Sequence, residues 1–521
     1  MKINITACLA ICIVLAGISS AKETTYVGTG TGFYDDSSKW NQTDAPTNNA
    51  EAKININSGI TITLTNSASI GRLALNGGAG AELLIDGGHL ATSSNDWNAV
   101  GYNNSSSMVL RNGGSMSTVG RLDIGLSDNI DGQINTFTME SDSGNVTIGN
   151  VFRIGPGFDG VNGANPVNAT AQVFVKGGTL SATGLTIGSV GTTLMDFSGT
   201  GSAVINGDIR NNVADYVATS RMTASEDGKL VRATNAGGTT TIQAVTDTAD
   251  YVRFEGSGTG VAGSGDGIWQ NGANWRNQEI GYADGYAAGS NDTVRIKGGQ
   301  TATLTGTAEI GGLLMGDNEA APTLIIDGGQ LSVIDPNKKG WSSISFNQTS
   351  TLEIKNGGVL DFAHAGNVLV GQVDSIDGTL VSVVVEDGLL KTAGSFRMGG
   401  NYDGSHTSSV HVVVGSAGTL DVGSLYIDND NNTLGKGSVW LNLEEGGSLV
   451  VDGDQTGQVS TWIGDGRILF NGFSGGTEDV DYTSTVAGGH TTIVAIPEPA
   501  TIGLITSFGG AVLFIRRMFM V

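Results

Sequence analysis

Cysteine is nearly absent from this chain. The two cysteines, Cys8 and Cys12, lie in an N-terminal segment, Met1–Ala21, which has one lysine, an apolar centre and small residues at its end. This pattern is typical of a secretory signal peptide and predicts cleavage between Ala21 and Lys22. The mature chain would then have no disulfide, no thiolate metal site and no cysteine nucleophile.

Basic residues are also scarce. The chain has 26 Lys and Arg against 50 Asp and Glu, for a formal net charge of −24. Lys2, Arg516 and Arg517 each carry one positive charge, so removal of both termini lowers the net charge to −27. Such an acidic body is not expected to bind nucleic acid by counterion release. It would also repel an anionic polysaccharide unless a divalent cation intervened, and the simplest role of the charge is solubility.

Recognisable catalytic and metal-binding motifs are missing as well. The five histidines are scattered, and no HExxH, Walker or GxSxG motif occurs. Asp428–Asn432 is rich in oxygen ligands but lacks the glycine and glutamate of an EF-hand, so we predict a solvated turn. We predict no catalytic residue, no metal and no cofactor. A glycosidase needs only two carboxylates, however, so an enzyme stays open as the alternative.

The residues that the chain does contain are typical of short strands joined by tight turns. Glycine accounts for 82 residues and proline for only 7. The stretch Ile60–Thr65 alternates apolar residues with threonine, which is the two-residue period of a β-strand. Apolar runs end at Gly-Gly corners that begin at Asp86, Asn112, Asp327 and Asn356. Such corners need positive φ, which glycine adopts freely and Asn or Asp tolerates.

The body contains an internal duplication. Thr61–Thr65 matches Thr301–Thr305, and Ile85–Leu90 matches Ile326–Leu331. Phe152–Gly155 likewise matches Phe396–Gly399. We therefore predict two modules, residues 22–254 and 267–495, joined by a Gly/Ser-rich linker at residues 255–266.

Each module is predicted to be an all-β, parallel β-solenoid (β-helix). One turn of strands buries too little apolar surface to fold alone, whereas stacked turns build a continuous aliphatic column. Tandem β-sandwiches are the alternative, because alternation and turn signals fit both folds. Trp40 and Trp275 precede the first regular strands of the two modules. We expect them to cap the open ends rather than to stack on sugars. The pattern resembles the β-helical passenger regions of autotransporter-like adhesins.

The C-terminal tail, Ile496–Val521, combines three features. Pro497-Glu498-Pro499 is held extended by its prolines, an uncharged apolar run spans Ala500–Ile515, and Arg516-Arg517 follows. The run is slightly short for a transmembrane helix, which needs about 17–25 residues, but snorkelling arginines could close the gap. We predict a transmembrane helix with Arg516 and Arg517 on the cytoplasmic side.

This tail resembles the PEP-CTERM sorting signal of bacteria that encode an exosortase. The resemblance implies recognition of Pro497-Glu498-Pro499 by a membrane-embedded cysteine protease after export by the Sec machinery. It also implies delivery to the cell surface or extracellular matrix, with residues 500–515 as a transient or permanent anchor in the inner membrane. We therefore predict an exported, non-enzymatic surface or matrix protein that acts as a spacer, adhesin or scaffold, with exopolysaccharide as a possible partner. The alternative is a secreted glycosidase or lyase on a β-helix scaffold.

Overall fold

The structure is a computed structural model that describes most of the chain between Thr24 and Pro497. The described residues are 24–28, 30–41, 51–102, 104–126, 132–155, 169–248, 250–255, 267–278, 285–296, 298–316, 321–334, 341–364, 366–372, 378–399, 408–427 and 438–497. The predicted signal peptide and the apolar run at 500–515 lie outside these residues. Among the described residues, no helix combines the length and the apolar character that crossing a membrane requires.

The chain divides into two compact units. Unit 1 takes the chain up to Ile209 together with Thr219–Thr246, and unit 2 takes Arg210–Ala218 together with the chain from Asp247 onward. Unit 2 thus begins ahead of the predicted linker, of which only Glu255 is described. The strand Tyr251–Phe254, which falls within the predicted bounds of the first module, pairs with Thr293–Ile296 of unit 2.

Unit 1 is built from short strands and one 3-10 turn, Ser37–Lys39. Its strands are β1 Thr24–Thr25, β2 Gly32–Phe33, β3 Glu51–Ile56, β4 Thr61–Leu64, β5 Ser67–Ile70, β6 Arg72–Gly77, β7 Glu82–Asp86, β8 His89–Thr92, β9 Trp97–Val100, β10 Ser106–Arg111, β11 Ser115–Thr118, β12 Arg121–Ile124, β13 Ile134–Met139, β14 Val146–Ile154, β15 Thr170–Val175, β16 Thr179–Ile187, β17 Thr192–Phe197, β18 Ser202–Asn206, β19 Met222–Ala224, β20 Lys229–Ala236 and β21 Thr239–Thr246.

Unit 2 contains both α-helices, α1 Arg210–Ala218 and α2 Thr456–Gly464, and a 3-10 turn at Gly272–Asn274. Its strands are β22 Tyr251–Phe254, β23 Trp275–Asn277, β24 Thr293–Ile296, β25 Thr301–Leu304, β26 Thr307–Ile310, β27 Gly312–Met315, β28 Thr323–Asp327, β29 Gln330–Val333, β30 Trp341–Phe346, β31 Ser350–Lys355, β32 Val359–Phe362, β33 Asn367–Gln372, β34 Thr379–Val385, β35 Leu389–Met398, β36 Ser408–Val414, β37 Thr419–Ile427, β38 Val439–Leu443, β39 Ser448–Asp452, β40 Ile468–Phe470, β41 Tyr482–Ala487 and β42 His490–Ala495.

Successive strands join three parallel ladders in turn. In unit 1, one ladder is β4-β7-β10-β13-β15-β17, a second is β5-β8-β11, and a third is β3-β6-β9-β12. The second and third ladders merge at the long strand β14, which pairs with β11 through Val146–Ile148 and with β12 through Phe152–Ile154. Unit 2 repeats this order with β25-β28-β31-β34-β36-β38, β26-β29-β32 and β24-β27-β30-β33, which merge at β35. The prediction of an all-β chain with parallel strands is confirmed.

The core is a set of stacked apolar columns. Because parallel strands pair in register, each buried residue lies directly over its counterpart in the next strand of the ladder. One such column in unit 1 is fully buried: Ile62, Leu83, Met108, Phe137, Val173 and Met195. The corresponding column in unit 2 is Ala302, Leu324, Leu352, Val383, Val412 and Leu441. Burying a large aliphatic side chain contributes about 1.5–3 kcal/mol, so these columns dominate the stability of each unit.

The Gly-Gly corners have two separate structural reasons. Gly113 has φ of 79°, as the sequence predicts for a sharp turn. Gly114 is required by close packing instead, because a Cβ there would lie 2.1 Å from the carbonyl oxygen of Ile85. A Cβ at Gly358 would likewise lie 2.4 Å from the carbonyl oxygen of Ile326.

The residue before each Gly-Gly pair divides into two classes. Asn112 and Asn356 adopt positive φ of 51° and 54°, as predicted. Asp86 ends a strand and instead accepts the Asn112 amide at 2.5 Å and the Arg111 guanidinium at 2.9 Å. Asp327 accepts the Asn356 amide in the same way, at 2.5 Å. The predicted role in positive φ is therefore wrong for the aspartates, which link neighbouring corners through their side chains.

Aromatic rings cover the first apolar layer of each unit. Trp40 is 2% exposed, and its Nε1 donates to the Tyr34 carbonyl oxygen at 2.8 Å. Trp275 is 1% exposed, and its Nε1 donates to the Trp269 carbonyl oxygen at 2.7 Å. Both indole rings are buried as a capping role requires, and burial removes them from any sugar-stacking surface.

The last layer of each unit is covered differently. In unit 1, the hairpin β20–β21 adds to β18 in antiparallel fashion, and in unit 2 the hairpin β41–β42 adds to β39 in the same way. An antiparallel hairpin satisfies the main-chain groups that an open parallel edge would leave for another chain to pair with.

Candidate functional site

The predicted sorting residues fall almost entirely outside the described part of the chain. Ala21, Lys22, Glu498, Pro499, Arg516 and Arg517 are not described. Pro497 is described and exposed, two residues beyond the end of β42. The residue before it, Ile496, donates its backbone N–H to the Asp481 carbonyl oxygen at 2.9 Å, so unit 2 is hydrogen-bonded up to the residue before the predicted motif.

Three of the described histidines, residues of the type that most often acts as a general base, take local structural roles. His89 contacts the hydroxyls of Ser115 and Ser117 at 2.9 and 3.1 Å. His364 is buried beside the Ser342 hydroxyl at 3.3 Å. His411 stacks on Trp440 with ring centroids 4.2 Å apart, and burial lowers its pKa. Among the described residues, no three side chains of His, Cys, Asp or Glu cluster as metal ligands would.

A cavity of about 470 Å³ opens in unit 2 between the merged ladders and α2. Arg397 of β35 and Tyr426 of β37 face each other across neighbouring strands, because these two residues are register partners. The Arg397 guanidinium lies 5.3 Å from the centre of the Tyr426 ring, within cation–π range. Tyr426 remains 50% exposed. We call this cavity the unit 2 groove.

The helix α2 supplies the opposite wall of the unit 2 groove. Trp462 lines the cavity from a buried position, and Gln458 presents an exposed amide. At its floor, Arg467 donates from Nη1 to the Ile427 carbonyl oxygen at 2.9 Å. An exposed aromatic ring flanked by a guanidinium and an amide offers stacking and hydrogen bonding to a polar ring, and no Asp or Glu is among the described residues that line it.

Unit 1 has the same local scaffold but a different outer surface. Arg221 donates from Nη1 to the Ile187 carbonyl oxygen at 2.9 Å, as Arg467 does to Ile427. The register partner of Arg153 is Thr186, however, where unit 2 has Tyr426. Unit 1 therefore has no exposed ring at the position that gives the unit 2 groove its aromatic surface.

Unit 1 has an ion triad that includes Arg153, the counterpart of Arg397 in unit 2. Arg153 Nε donates to Asp123 Oδ1 at 2.7 Å, and Arg121 Nε donates to Asp123 Oδ2 at 2.8 Å. The Asp123 side chain is only 1% exposed, and its burial raises its pKa while the two guanidinium groups offset part of that effect. A carboxylate held between two arginines in this way serves structure, because both of its oxygens are already bonded.

Comparison of the chain with protein-family models, with curated proteins and with solved structures found no match in any of the three.

The groove residues were not found by sequence reasoning. Arg397 belongs to the duplicated Phe-Arg-x-Gly motif, which marks a repeat and not a surface, and Trp462 is a buried core residue. The available signal was divergence between the repeats, since Tyr426 replaces a threonine at an outward-facing position.

Proposed function

We propose that this chain is an exported, non-enzymatic surface or extracellular-matrix protein in which each unit is a parallel β-solenoid. The observation that supports this most is the rotation of successive strands among three parallel ladders around fully buried columns. Such a fold is extended by adding turns and presents repeated outer faces, which suits a spacer, adhesin or scaffold.

Sorting of this protein by an exosortase is part of the same proposal. Pro497 is exposed two residues beyond β42, which supports access of a protease to the start of the motif without unfolding of unit 2. Residues 500–515 would hold the substrate in the inner membrane, with Arg516 and Arg517 on the cytoplasmic side. The partners are then the Sec machinery, which removes Met1–Ala21, the exosortase, and exopolysaccharide at the final location.

The alternative is a secreted glycosidase or lyase, and its glycosidase form requires two carboxylates about 5–9 Å apart that flank a bound sugar. The unit 2 groove offers Arg, Tyr, Gln and Trp side chains instead. This composition favours binding over hydrolysis.

The test is mass spectrometry of the mature C-terminus together with cell fractionation in the native host. The proposal expects a terminus at or near Pro497–Pro499 and protein in the surface or matrix fraction. Replacing Pro497, Glu498 and Pro499 by alanine should retain the intact tail in the inner membrane, whereas Glu478→Ala, an exposed carboxylate of the same unit, should leave processing unchanged. An intact Val521 terminus in the wild type would overturn exosortase processing.

A further inference from the structure

Three arginines occupy neighbouring positions on one outer face of unit 2. Arg253 of β22 is the register partner of both Arg295 of β24 and Arg276 of β23. The residues next to them, Val252, Phe254, Trp275 and Val294, are buried, so the arginines alternate to the outside. Together with Gln278 they line a cavity of about 360 Å³. We call this set the arginine face.

Each arginine of this face has a neighbour that orients it. Arg276 Nη1 lies 3.3 Å from Glu255 Oε1, and the Arg295 guanidinium lies 5.1 Å from the centre of the Tyr251 ring. The Gln278 amide, with its oxygen towards Arg253, accepts from Nε and Nη2 at 3.3 Å. The Arg276 side chain is nonetheless 43% exposed, and Tyr251 is 40% exposed.

In unit 1, the three positions that correspond to these arginines are occupied by neutral residues. Tyr26 forms an antiparallel bridge with Trp40, and Phe254 pairs with Trp275 in the same way. The neighbouring residues therefore correspond as well: Thr25 to Arg253, and Asn41 to Arg276. Asn55, the register partner of Thr25, corresponds to Arg295. These residues bond to one another: Asn55 Nδ2 donates to Thr25 Oγ1 at 3.3 Å, and the Thr25 backbone N–H donates to Asn41 Oδ1 at 3.0 Å. The fold therefore does not require arginine at any of the three positions.

Like charges on neighbouring strands lower stability, so a face of three arginines is a cost that a neutral set avoids. We propose that the arginine face is a binding site for a carboxylate-bearing polysaccharide. Guanidinium groups bind carboxylates in a bidentate geometry, and the exposed Tyr251 ring beside them offers a flat surface to a sugar ring.

The net charge of −24 does not prevent such binding. At physiological ionic strength the Debye length is about 8 Å, so an exposed site responds mainly to the charges in its own neighbourhood. The described lining of the arginine face consists of three guanidinium groups and the Gln278 amide, and Glu255 pairs with Arg276 beside it. The inference names a partner class for the proposed surface protein, but its test is a binding measurement that does not depend on sorting.

The experiment is titration calorimetry of the full chain in detergent, with oligogalacturonate as the acidic probe and dextran as the neutral one. The test variant is Arg253→Thr with Arg295→Asn, which installs the residues of unit 1 and keeps the Arg276–Glu255 pair. The matched control is Arg111→Asn with Lys355→Thr, which removes the same charge from two ion pairs elsewhere on the outer surface.

We expect the wild type to bind oligogalacturonate and not dextran, and the test variant to lose about tenfold or more in affinity, as expected when charge-assisted bonds are removed. The control variant should stay within about twofold of the wild type. Tyr251→Ala should weaken oligogalacturonate binding without changing competition by inorganic sulfate. Equal loss in the control variant, no loss in the test variant, or no binding by the wild type would each overturn the proposal. A Tyr251→Ala variant that binds oligogalacturonate normally would reduce the face to a simple anion site and overturn the polysaccharide assignment.

Discussion

The two units share their element order but cover their first apolar layer with different aromatic side chains. Unit 1 covers its first layer with Tyr26, Tyr34 and Trp40, and unit 2 uses Phe254, Trp269 and Trp275 at the corresponding places. Trp40 and Trp275 each donate Nε1–H to the carbonyl oxygen of the residue six positions earlier in the chain. Covering the first layer therefore requires large rings in edge-to-face contact and one indole hydrogen bond, whereas unit 2 covers its layer without a tyrosine hydroxyl.

Outside the core the two units differ more. The position of Asp123 in β12 is taken by Leu369 in β33, and that of Thr186 in β16 by Tyr426 in β37. Inward positions must fill a column between the layers above and below, so their size and polarity are constrained. Outward positions do not have to fill a column, which leaves them free to form an ion triad in one unit and to line a groove in the other.

The largest effect should come from removing a capping indole. Trp40→Ala should destabilise unit 1 by about 3–5 kcal/mol, because it opens a large cavity above the first layer. Trp275→Ala should have an effect of similar size on unit 2. Differential scanning calorimetry should show each variant lowering the unfolding transition of its own unit.

The controls are Trp40→Phe and Trp275→Phe, which keep most of the ring and lose the indole bond. Each should cost clearly less than the alanine variant. If Trp40→Ala and Trp275→Ala lowered the same transition equally, the two units would not unfold as separate bodies and the comparison would have to be made on the whole chain.

A smaller effect should follow from breaking the ion triad of unit 1, whose central aspartate is replaced by Leu369 at the corresponding position of unit 2. Asp123→Ala leaves Arg121 and Arg153 facing each other without their shared carboxylate. We expect a loss of about 2–3 kcal/mol in unfolding free energy, somewhat below that of a fully buried pair because both arginines retain contact with water. Chemical denaturation monitored by circular dichroism would measure it.

The matched control is Leu369→Ala at the corresponding position of unit 2. That side chain is half-buried and apolar, so its loss should cost about 1 kcal/mol. A cost for Asp123→Ala no larger than that of the control would show that the triad adds no stability to unit 1.

The smallest effect should be a loss of unit 1 stability at alkaline pH. Burial raises the pKa of Tyr34, and burial with the nearby Asp36 carboxylate raises that of Tyr26. The protonated forms are therefore favoured in the folded state. Their stabilisation is fully present below the unfolded-state pKa of about 10 and is lost as pH rises towards the folded-state values, by about 1 kcal/mol for Tyr34 at pH 11.

Tyr34→Phe should remove part of this alkaline sensitivity from the unit 1 transition while leaving its stability at pH 7 nearly unchanged. Unit 2 has Tyr482 at its other end, where burial also raises the pKa, so Tyr482→Phe is the corresponding variant for that unit. Melting temperatures measured between pH 7 and pH 11 would decide the matter. An unchanged pH profile in Tyr34→Phe would contradict the assignment of the effect to that hydroxyl.

Much of the architecture was readable before any coordinates. The threonine alternation at Thr61–Leu64 predicts a strand with one buried face, and that strand has Ile62 and Leu64 inside. The duplication predicts matching elements, and Trp40 and Trp275 take equivalent capping places. These predictions succeed because strand period, turn chemistry and repetition are local or linear properties of a sequence.

Other features depended on which strands become neighbours. The residues flanking Arg253 mark it as outward-facing but cannot show that Arg276 and Arg295 lie beside it, because their pairing is set by the ladder register. Gly114 reads as a turn residue, yet its requirement comes from the carbonyl oxygen of Ile85 in the preceding layer. Composition predicted repulsion of anionic polysaccharide, whereas the register gathers three positive charges on one face.

By itself the sequence determined the strands, the turns and the duplication, because these depend on neighbours along the chain. The tertiary structure alone decided the ion triad, the unit 2 groove and the arginine face, because each joins residues that only the stacking of parallel strands brings together.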